Sequence, residues 1–325
     1  MTKRNLFYVL CAIFLFSACQ DGKKEVATCG NPIFDTPLTA DPAVLTHNDT
    51  LYLYTGSDEA APGKNAFVMS KWYGFSTTDM VHWKNHGVIL DVADFKWADR
   101  SAFAGHCIEN NGKFWWYVPM IPKDSTLIEH EGFAIGVAVA DHPMGPYKDA
   151  LGAPLVADTA SNSIVLDIDP AVFKDDDGQV YLFWGSWNEA RYVKLKSNMI
   201  ETEDAIETVH AKNFFEAPWI HKRGDTYYLS YAAHYPSTTE YSTSKSITGP
   251  WEYQGVINDT VPNSPTNHQA IINFKGKDYF FYHNAASSTG GPYRRSVCVD
   301  YLNYDENGKI LKVKQTKKGV SQIIK

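Results

Sequence analysis

The sequence predicts an all-β fold, a five-bladed β-propeller, and three observations support that prediction. A turn followed by an aromatic-rich strand occurs five times, with the copies starting at residues 49, 112, 178, 224 and 276. The copies are separated by 63, 66, 46 and 52 residues, which is the spacing of propeller blades. No long helical period interrupts them, and the apolar residues, 44% of the chain, fall in short runs.

The beginning of the chain predicts an export signal rather than part of the fold. Two basic residues precede the apolar run Leu6–Phe16, which is too short to span a membrane as a mature anchor. The small residues before Cys19 resemble the lipobox of bacterial lipoproteins, so we expect a lipid anchor on Cys19 at a bacterial membrane, periplasmic or on the cell surface. An ordinary secretory signal is the alternative. The predicted divisions are a lipoprotein-type signal peptide at 1–19, a tether at 20–30 and the propeller domain at 31–325.

Within the propeller domain, the repeated phrase predicts strand hairpins. Asn213–Tyr235 contains two aromatic-rich strands on either side of a turn at Lys222–Asp225. The acidic run Asp175–Gly178 is interpreted as a hairpin turn and not as a calcium loop, because the rest of an EF-hand is missing. A second phrase, Phe75–Trp83, recurs in altered form at 139–147 and 241–251, as outer blade strands would. One polar segment, Asn198–His210, predicts a short helix.

Ionisable residues occupy one position of the repeat. Counting back eight residues from a repeat start, or nine where the turn is longer, reaches Asp41, Asp169, Glu216 and His268, with Ala104 in the second copy. The first strand of each blade lines the central channel of a propeller, so equivalent positions converge at one end of it. An Asp-Pro pair alone is commonly a simple turn. Four ionisable residues in one register instead predict a functional site.

Glu216 has the surroundings of a general acid. It lies among Phe214, Phe215, Trp219 and Ile220 in the sequence. Apolar surroundings disfavour the charged form of a carboxyl group and raise its pKa. A raised pKa keeps the proton available near neutral pH, as general acid catalysis requires.

Composition and motifs exclude several other classes of protein. The net charge of −7 and the lack of a basic stripe argue against a nucleic-acid partner. Cys29, Cys107 and Cys298 form no C-x-x-C metal or redox pattern. We expect buried free thiols there, with at most one bridge. Neither a G-x-S-x-G elbow nor a P-loop is present.

At these residues the sequence resembles glycoside hydrolase family 43. The matching motifs are TADPAVL around Asp41, DIDPAVFKDDDGQVYLFWGS around Asp169, FFEAPWIHKRGDTYYLSY around Glu216, and FSTTDMVHWKNHGVIL. They occur in the family's order, and the resemblance covers residues 31–315. It implies a five-bladed propeller and an inverting enzyme. The family consists chiefly of β-xylosidases, α-L-arabinofuranosidases and arabinanases.

The resemblance also implies roles for individual residues. Asp41 would be the general base that activates water, and Glu216 the general acid that protonates the leaving oxygen. Asp169 would orient Glu216 and tune its pKa. His268 would face the substrate, in some members beside a hydrated calcium ion, and Arg295 would also face the substrate. No cofactor is required, and a structural Ca²⁺ is the one metal the resemblance allows.

Aromatic residues near the predicted mouth of the channel are candidates for sugar stacking. They are Phe103, where relatives often carry Trp, and Trp187, together with Trp72 and Tyr235. The expected partner is a hemicellulose-derived oligosaccharide or polysaccharide. The sequence leaves open whether the sugar is xylose or arabinose, and whether cleavage is endo or exo.

Two other functions are alternatives to glycoside hydrolysis of this type. One is a non-catalytic, sugar-binding propeller on the cell surface. The other is a related propeller clan that acts on fructosides and carries Trp-Met-Asn-Asp-Pro-like and Arg-Asp-Pro motifs. The corresponding places here hold Thr39-Ala40-Asp41-Pro42 and Asp167-Ile168-Asp169-Pro170, which argues against the fructoside clan.

Overall fold

The structure, a computed structural model, describes residues 26–324. Apart from two 3-10 turns at Val92–Asp94 and Ser125–Leu127, its regular structure is all strand. The strands are β1 Thr39–His47, β2 Thr50–Ser57, β3 Lys71–Thr77, β4 Lys84–Asp91, β5 Ala98–Arg100, β6 His106–Asn110, β7 Lys113–Pro122, β8 Ala134–Ala140, β9 Lys148–Asp149, β10 Ala171–Lys174, β11 Val180–Ser186, β12 Glu189–Leu195, β13 Glu207–Val209, β14 Phe214–Arg223, β15 Thr226–Ala233, β16 Thr238–Ser244, β17 Glu252–Asn258, β18 Ala270–Phe274, β19 Lys277–Asn284, β20 Ser296–Tyr304 and β21 Ile310–Leu311.

The strands form five antiparallel sheets, and each sheet is one propeller blade. Blade I holds β1–β4, blade II β5–β9, blade III β10–β13, blade IV β14–β17 and blade V β18–β21. The five repeats identified in the sequence correspond to the five blades, because each repeat contains the second strand of one blade. In blade II the innermost strand is broken into β5 and β6, which both pair with β7, and Ala104 lies in the break.

The innermost strands close a ring around the channel. β1 contacts β6, β6 contacts β10, β10 contacts β14, β14 contacts β18, and β18 returns to β1. Apolar side chains fill the spaces between blades. The indole rings of Trp72 in blade I and Trp116 in blade II, for example, have centroids 5.7 Å apart. The five-bladed propeller predicted from the sequence is therefore confirmed.

Chain closure also involves the segment before β1. Thr28 forms a β-bridge with Ser321, and the Cys29 amide donates to the Val320 carbonyl at 3.0 Å. Residues 28–30, which we assigned to the tether, thus bond to the C-terminal segment. The predicted signal peptide, Cys19 and most of the tether lie outside the described residues. In residues 26–324 no helix is long and apolar enough to cross a membrane.

One local prediction was wrong and one was confirmed. Asn198–His210 is not helical, because it contains turns followed by the short edge strand β13. Thr208 in β13 pairs with Arg191, which makes the segment the outer edge of blade III. Cys29, Cys107 and Cys298 are free thiols, and the last two are buried, as expected.

Candidate active site

The predicted ionisable residues meet at one end of the channel. A single pocket is lined by Asp41, Asp169, Glu216, His268 and Arg295, and by Phe103 on the blade II side. Trp187 does not line this pocket; it lies on the rim and is 50% exposed. A larger groove of about 820 Å³ runs between blades IV and V, but no buried carboxyl group lines it.

The backbone explains how the two aspartates reach the pocket. Asp41 and Asp169 both adopt left-handed conformations, with φ of 53° and 59°, and each precedes a proline. This conformation is uncommon for residues other than glycine, although Asp tolerates it better than most. It interrupts the strand just before regular pairing resumes, two residues later, at Ala43 and Ala171. The carboxylates therefore project into the channel instead of joining a blade face.

The common register predicted for all four residues is wrong for Glu216. Asp41, Asp169 and His268 each lie two residues before a paired strand position, and in blade IV that place belongs to Ala217, with φ of 58°. Glu216 lies one residue earlier, opposite Ala232. Register shifts in β14 on both sides of Glu216 turn its side chain into the pocket.

Arg295 clamps Asp41 from the blade V side. Its Nη1 and Nη2 donate to the two carboxylate oxygens of Asp41 at 2.9 and 3.3 Å. Burial raises the pKa of Asp41, but Arg295, His283 and His268 together outweigh burial, and the pKa lies well below its usual range. Asp41 is therefore an ionised carboxylate across the physiological pH range.

Asp58 holds the other side of the same guanidinium. Arg295 Nε and Nη2 donate to the Asp58 oxygens at 2.8 and 2.9 Å, and Nη1 also donates to Thr266 Oγ1 at 3.3 Å. A guanidinium has five N–H donors, so the bonds to Asp41, Asp58 and Thr266 engage all of them. Arg295 lines the pocket, but it keeps no free donor for a sugar hydroxyl.

Two histidines border Asp41. The Asp41 amide donates to Nδ1 of His283 at 3.3 Å, and His283 Nε2 lies 3.1 Å from the Thr266 carbonyl oxygen. His283 Nδ1 also lies 3.3 Å from Oδ1 of Asp41. His268 Nδ1 lies 4.0 Å from both Asp41 and Asp169. Burial lowers the pKa of His268 to about 4, so its ring is neutral at pH 7.

Glu216 and Asp169 form an acid pair on the opposite side of the pocket. Burial and the negative charge of Asp41 raise the pKa of Glu216 to about 7, although Ser186 Oγ donates to it at 3.3 Å. Burial and the charges of Glu216 and Asp41 raise the pKa of Asp169 as well. Because the charge of Glu216 opposes ionisation of Asp169, the two carboxyl groups resist joint ionisation, and the pair retains a proton near neutral pH.

The apolar surroundings of Glu216 are not the ones that its sequence neighbours suggest. Trp219 instead stacks on His106, with centroids 4.4 Å apart, and Phe214 packs against Tyr231 in the core. The apolar walls of the pocket are Phe67, Met69, Phe103 and Ile168, from other parts of the chain. Neighbours along a strand face opposite sides, whereas the folded ring brings distant residues around the carboxyl group.

Sequence reasoning missed several pocket residues. Four of them line the pocket, namely Phe67, Met69, Thr266 and His283. The other two, Asp58 and Ser186, bond to the pocket residues Arg295 and Glu216. A signal existed for two of them, because Asp58 directly follows the apolar strand YLYTGS and His283 is a lone histidine in the apolar strand DYFFYHN. An ionisable side chain in such a strand is buried only when it is paired.

The pocket residues can be tested for the calcium ion that the family resemblance allows. Within residues 26–324, no group of three or more His, Cys, Asp or Glu side chains is placed to bind a metal directly. The oxygens of Asp41 are already bonded to Arg295. These residues therefore do not fit a directly coordinated calcium, and a hydrated calcium near His268 stays a prediction.

Comparison with known proteins gives the same picture as the geometry. Residues 29–310 match the family model described as glycosyl hydrolases family 43. A xylosidase/arabinosidase of Bacteroides ovatus is 32% identical, with 84% of this chain and 94% of that protein aligned. An arabinoxylan arabinofuranohydrolase of Bacillus subtilis (strain 168) is 30% identical over 96% of this chain and 71% of its own length.

Solved structures agree with the sequence relatives. A family 43 β-xylosidase/α-arabinofuranosidase from a compost microbial metagenome, crystallised with xylotriose in a calcium-free form, superposes with a TM-score of 0.77. It is 29% identical, and the match covers 88% of this chain and 97% of that one. The family model spans almost the whole described propeller and includes all three pocket carboxylates. The chain belongs to glycosyl hydrolase family 43 and is a glycoside hydrolase.

Proposed function

We propose that the protein is an inverting glycosidase that removes xylose or arabinose from hemicellulose-derived chains. The mechanism rests on one observation. Of two carboxyl groups in the same pocket, Asp41 is ionised and Glu216 is held in its protonated form. Arg295 keeps Asp41 ionised, while burial and the charge of Asp41 raise the pKa of Glu216 to about 7. Inversion needs such a base and such an acid on opposite faces of the sugar, with a water molecule between the base and the anomeric carbon.

Each of the two carboxyl groups performs one proton transfer. Asp41 accepts a proton from the attacking water, and Glu216 donates its proton to the departing glycosidic oxygen. Asp169 supports Glu216 in two ways. Its negative charge, when present, opposes ionisation of Glu216, and its carboxyl group lies beside the acid in the same pocket. No step requires a cofactor or a metal ion.

Substrate class follows from the relatives and from the pocket walls. The relatives described above are named for xylosidase, arabinosidase or arabinofuranohydrolase activity. The aromatic walls Phe67 and Phe103 suit the apolar face of a sugar ring. The neutral ring of His268 can bond a sugar hydroxyl, so we assign it to substrate binding. Arg295 has no donor left and is assigned to holding Asp41.

Leaving-group dependence tests the roles. A nitrophenolate leaves without protonation, so Glu216→Gln is expected to cost little kcat/KM on a nitrophenyl glycoside. On an oligosaccharide the same variant is expected to lose roughly 10²–10⁴-fold, the usual contribution of general acid catalysis. Asp41→Asn is expected to lose activity on both substrates, because every substrate needs the activated water.

Controls separate the roles from folding. Circular dichroism and thermal unfolding establish that each variant folds, and early-time NMR of the wild-type reaction reports the anomeric configuration of the product. A Glu216→Gln loss that is equal on the two substrates, or a product with retained configuration, contradicts the assignment. Asp169→Asn is expected to fall between the other two variants.

Export is the remaining part of the proposal. It rests on the lipobox-like residues before Cys19, and it agrees with a substrate too large to enter a cell. A membrane-anchored enzyme, periplasmic or on the cell surface, would act where such chains are available.

A further inference from the structure

The rim beside Glu216 carries two exposed aromatic side chains. Among residues 26–324, Trp187 and Tyr235 are the two aromatic residues that are largely exposed, with 50% and 60% of their surface accessible to solvent. Both lie in turns at the ends of hairpins, Trp187 between β11 and β12 and Tyr235 between β15 and β16. They flank the start of β14, the strand that supplies Glu216.

Phe215 connects the two turns. Its carbonyl oxygen accepts the Asn188 amide at 3.1 Å, which ties the Trp187 turn to β14. Its ring centroid lies 6.0 Å from that of Tyr235. Phe215 thus bonds to the Trp187 turn through its backbone and packs against Tyr235 through its ring. We call Trp187, Phe215 and Tyr235 the rim platform.

The rim platform is continuous with the proposed acid. Phe215 directly precedes Glu216, and Ser186, the neighbour of Trp187, donates its hydroxyl to the Glu216 carboxyl at 3.3 Å. The proposed base lies on the other side of the pocket, held by Arg295, which directly precedes β20 of blade V. In the inverting geometry, the leaving group departs on the side of the acid.

The Trp187 turn is conformationally expensive. Trp187 and Asn188 have φ of 50° and 71°, the two positive values of a type I′ hairpin turn, which favours Asn-Gly. A bulky aromatic residue in this conformation is an outlier, and such strain concentrates at ligand sites. Its indole ring is half exposed instead of packed in the core, so the folded state gains little from it.

The Tyr235 turn is held in place. The Ser237 amide donates to the Pro265 carbonyl oxygen at 2.9 Å, and His234 Nε2 lies 3.3 Å from the buried Glu240 carboxyl. An exposed aromatic ring on an anchored turn presents a surface that needs no ordering when a ligand binds.

We propose that the rim platform is the leaving-group subsite, where the sugars that remain after cleavage stack on Trp187, Phe215 and Tyr235. This rests on the proposed function, since the assignment uses Glu216 as the acid. Its ligand is a chain of pyranose rings, whose apolar faces suit exposed aromatic rings. The substrate would therefore be a glycan with two or more sugars beyond the cleaved bond.

The test compares substrates with and without a sugar leaving group. Trp187→Ala and Tyr235→Ala are assayed on oligosaccharides of increasing length and on the glycosyl fluoride of the same sugar, whose leaving group is a single atom. Each variant is expected to lose about tenfold in kcat/KM on the longer oligosaccharides. On the fluoride it is expected to keep wild-type activity, and Trp187→Phe is expected to recover most of the loss on oligosaccharides.

Leu311→Ala is the matched control, because Leu311 is 48% exposed on the edge strand β21, in the outermost position of blade V. It is expected to leave both activities unchanged. Equal losses on fluoride and oligosaccharide, or no loss on either, overturn the rim platform. A wild-type protein that hydrolyses neither substrate would instead refute the proposed function.

Discussion

At the scale of single residues, the least expected feature is that Arg295 is shared between two carboxylates. Asp58 is buried and also accepts the Arg295 backbone amide, at 2.6 Å. Its negative charge balances part of the guanidinium charge that faces Asp41. Asp58 thus positions Arg295 and limits how strongly that charge weakens Asp41 as a base.

A double-mutant cycle tests this positioning role. Asp58→Asn is expected to lower kcat/KM by about tenfold on aryl glycosides and oligosaccharides alike, because every substrate needs the water that Asp41 activates, whatever its leaving group. In an Arg295→Met background, Asp58→Asn is expected to cost no further kcat/KM. It is also expected to raise the melting temperature, because the buried Asp58 charge has lost its Arg295 partner in that background. Additive losses in the two backgrounds would mean that Asp58 acts independently of Arg295.

At the scale of elements, the loop before β10 contains a second pair of buried acids. Asp158 and Asp167 are fully buried, and one oxygen of each has no hydrogen-bond partner. Trp184 Nε1 donates to the other Asp167 oxygen at 2.6 Å. Burial, with a smaller contribution from the nearby charge of Asp158, raises the pKa of Asp167 from 3.8 to about 7, although the hydrogen bond from Trp184 opposes the shift. This loop delivers Asp169 to the pocket, so its charge state bears on the stability of the site.

The pH dependence of stability follows from the raised pKa of Asp167. The folded state binds the proton more tightly than the unfolded state, so this contribution is complete below pH about 4 and is lost as the pH rises to about 7. The loss in the free energy of unfolding is on the order of 4 kcal/mol. Asp167→Asn keeps an acceptor for Trp184 and cannot ionise, so it is expected to unfold at a higher temperature than wild type at pH 8.

Thermal unfolding at pH 5 and pH 8 measures the difference. The exposed Asp225→Asn is the control and is expected to follow the wild-type pH dependence. If Asp167→Asn and wild type lose stability in parallel over this range, Asp167 does not titrate there.

At the scale of the whole molecule, the segment before β1 fastens the last blade of the ring. Asn31 Nδ2 donates to the Val299 and Thr316 carbonyl oxygens at 3.0 and 2.9 Å, and to Asp300 at 3.1 Å. Its Oδ1 accepts the Val299 amide at 2.8 Å. The Asn31 side chain thus joins the segment before β1 to two later parts of the chain. These are β20, through Val299 and Asp300, and the C-terminal segment, through Thr316.

Asn31→Ala is expected to destabilise the propeller, because it leaves buried partners unsatisfied. The expected loss is about 2–4 kcal/mol for the hydrogen bonds of this side chain, measured by denaturant unfolding. Asn273→Ala is the control, since exposed Asn273 makes a single hydrogen bond, to Asp278 at 2.8 Å. A loss no larger than that of the control would mean that ring closure does not depend on Asn31.

Much of this architecture could be predicted from the sequence. Five turn-and-strand repeats determine five second strands, because aromatic and β-branched runs between turns form hairpins whatever surrounds them. The Asp-Pro steps placed Asp41 and Asp169 before regular strand pairing, and the position of His268 followed from the same spacing. The apolar context of Glu216 indicated a raised pKa, although its sequence neighbours are not the residues that bury it.

Only the tertiary structure decided how these residues work together. Glu216 reaches the pocket because register shifts in β14 displace it by one position, and a one-residue shift reverses the side that a strand residue faces. The bonds from Arg295 to Asp41 and Asp58 join residues 254 and 237 positions apart. Sequence spacing carries no information about such pairs, because they meet only when the fifth blade packs against the first, and the charge state of Asp41 depends on that closure.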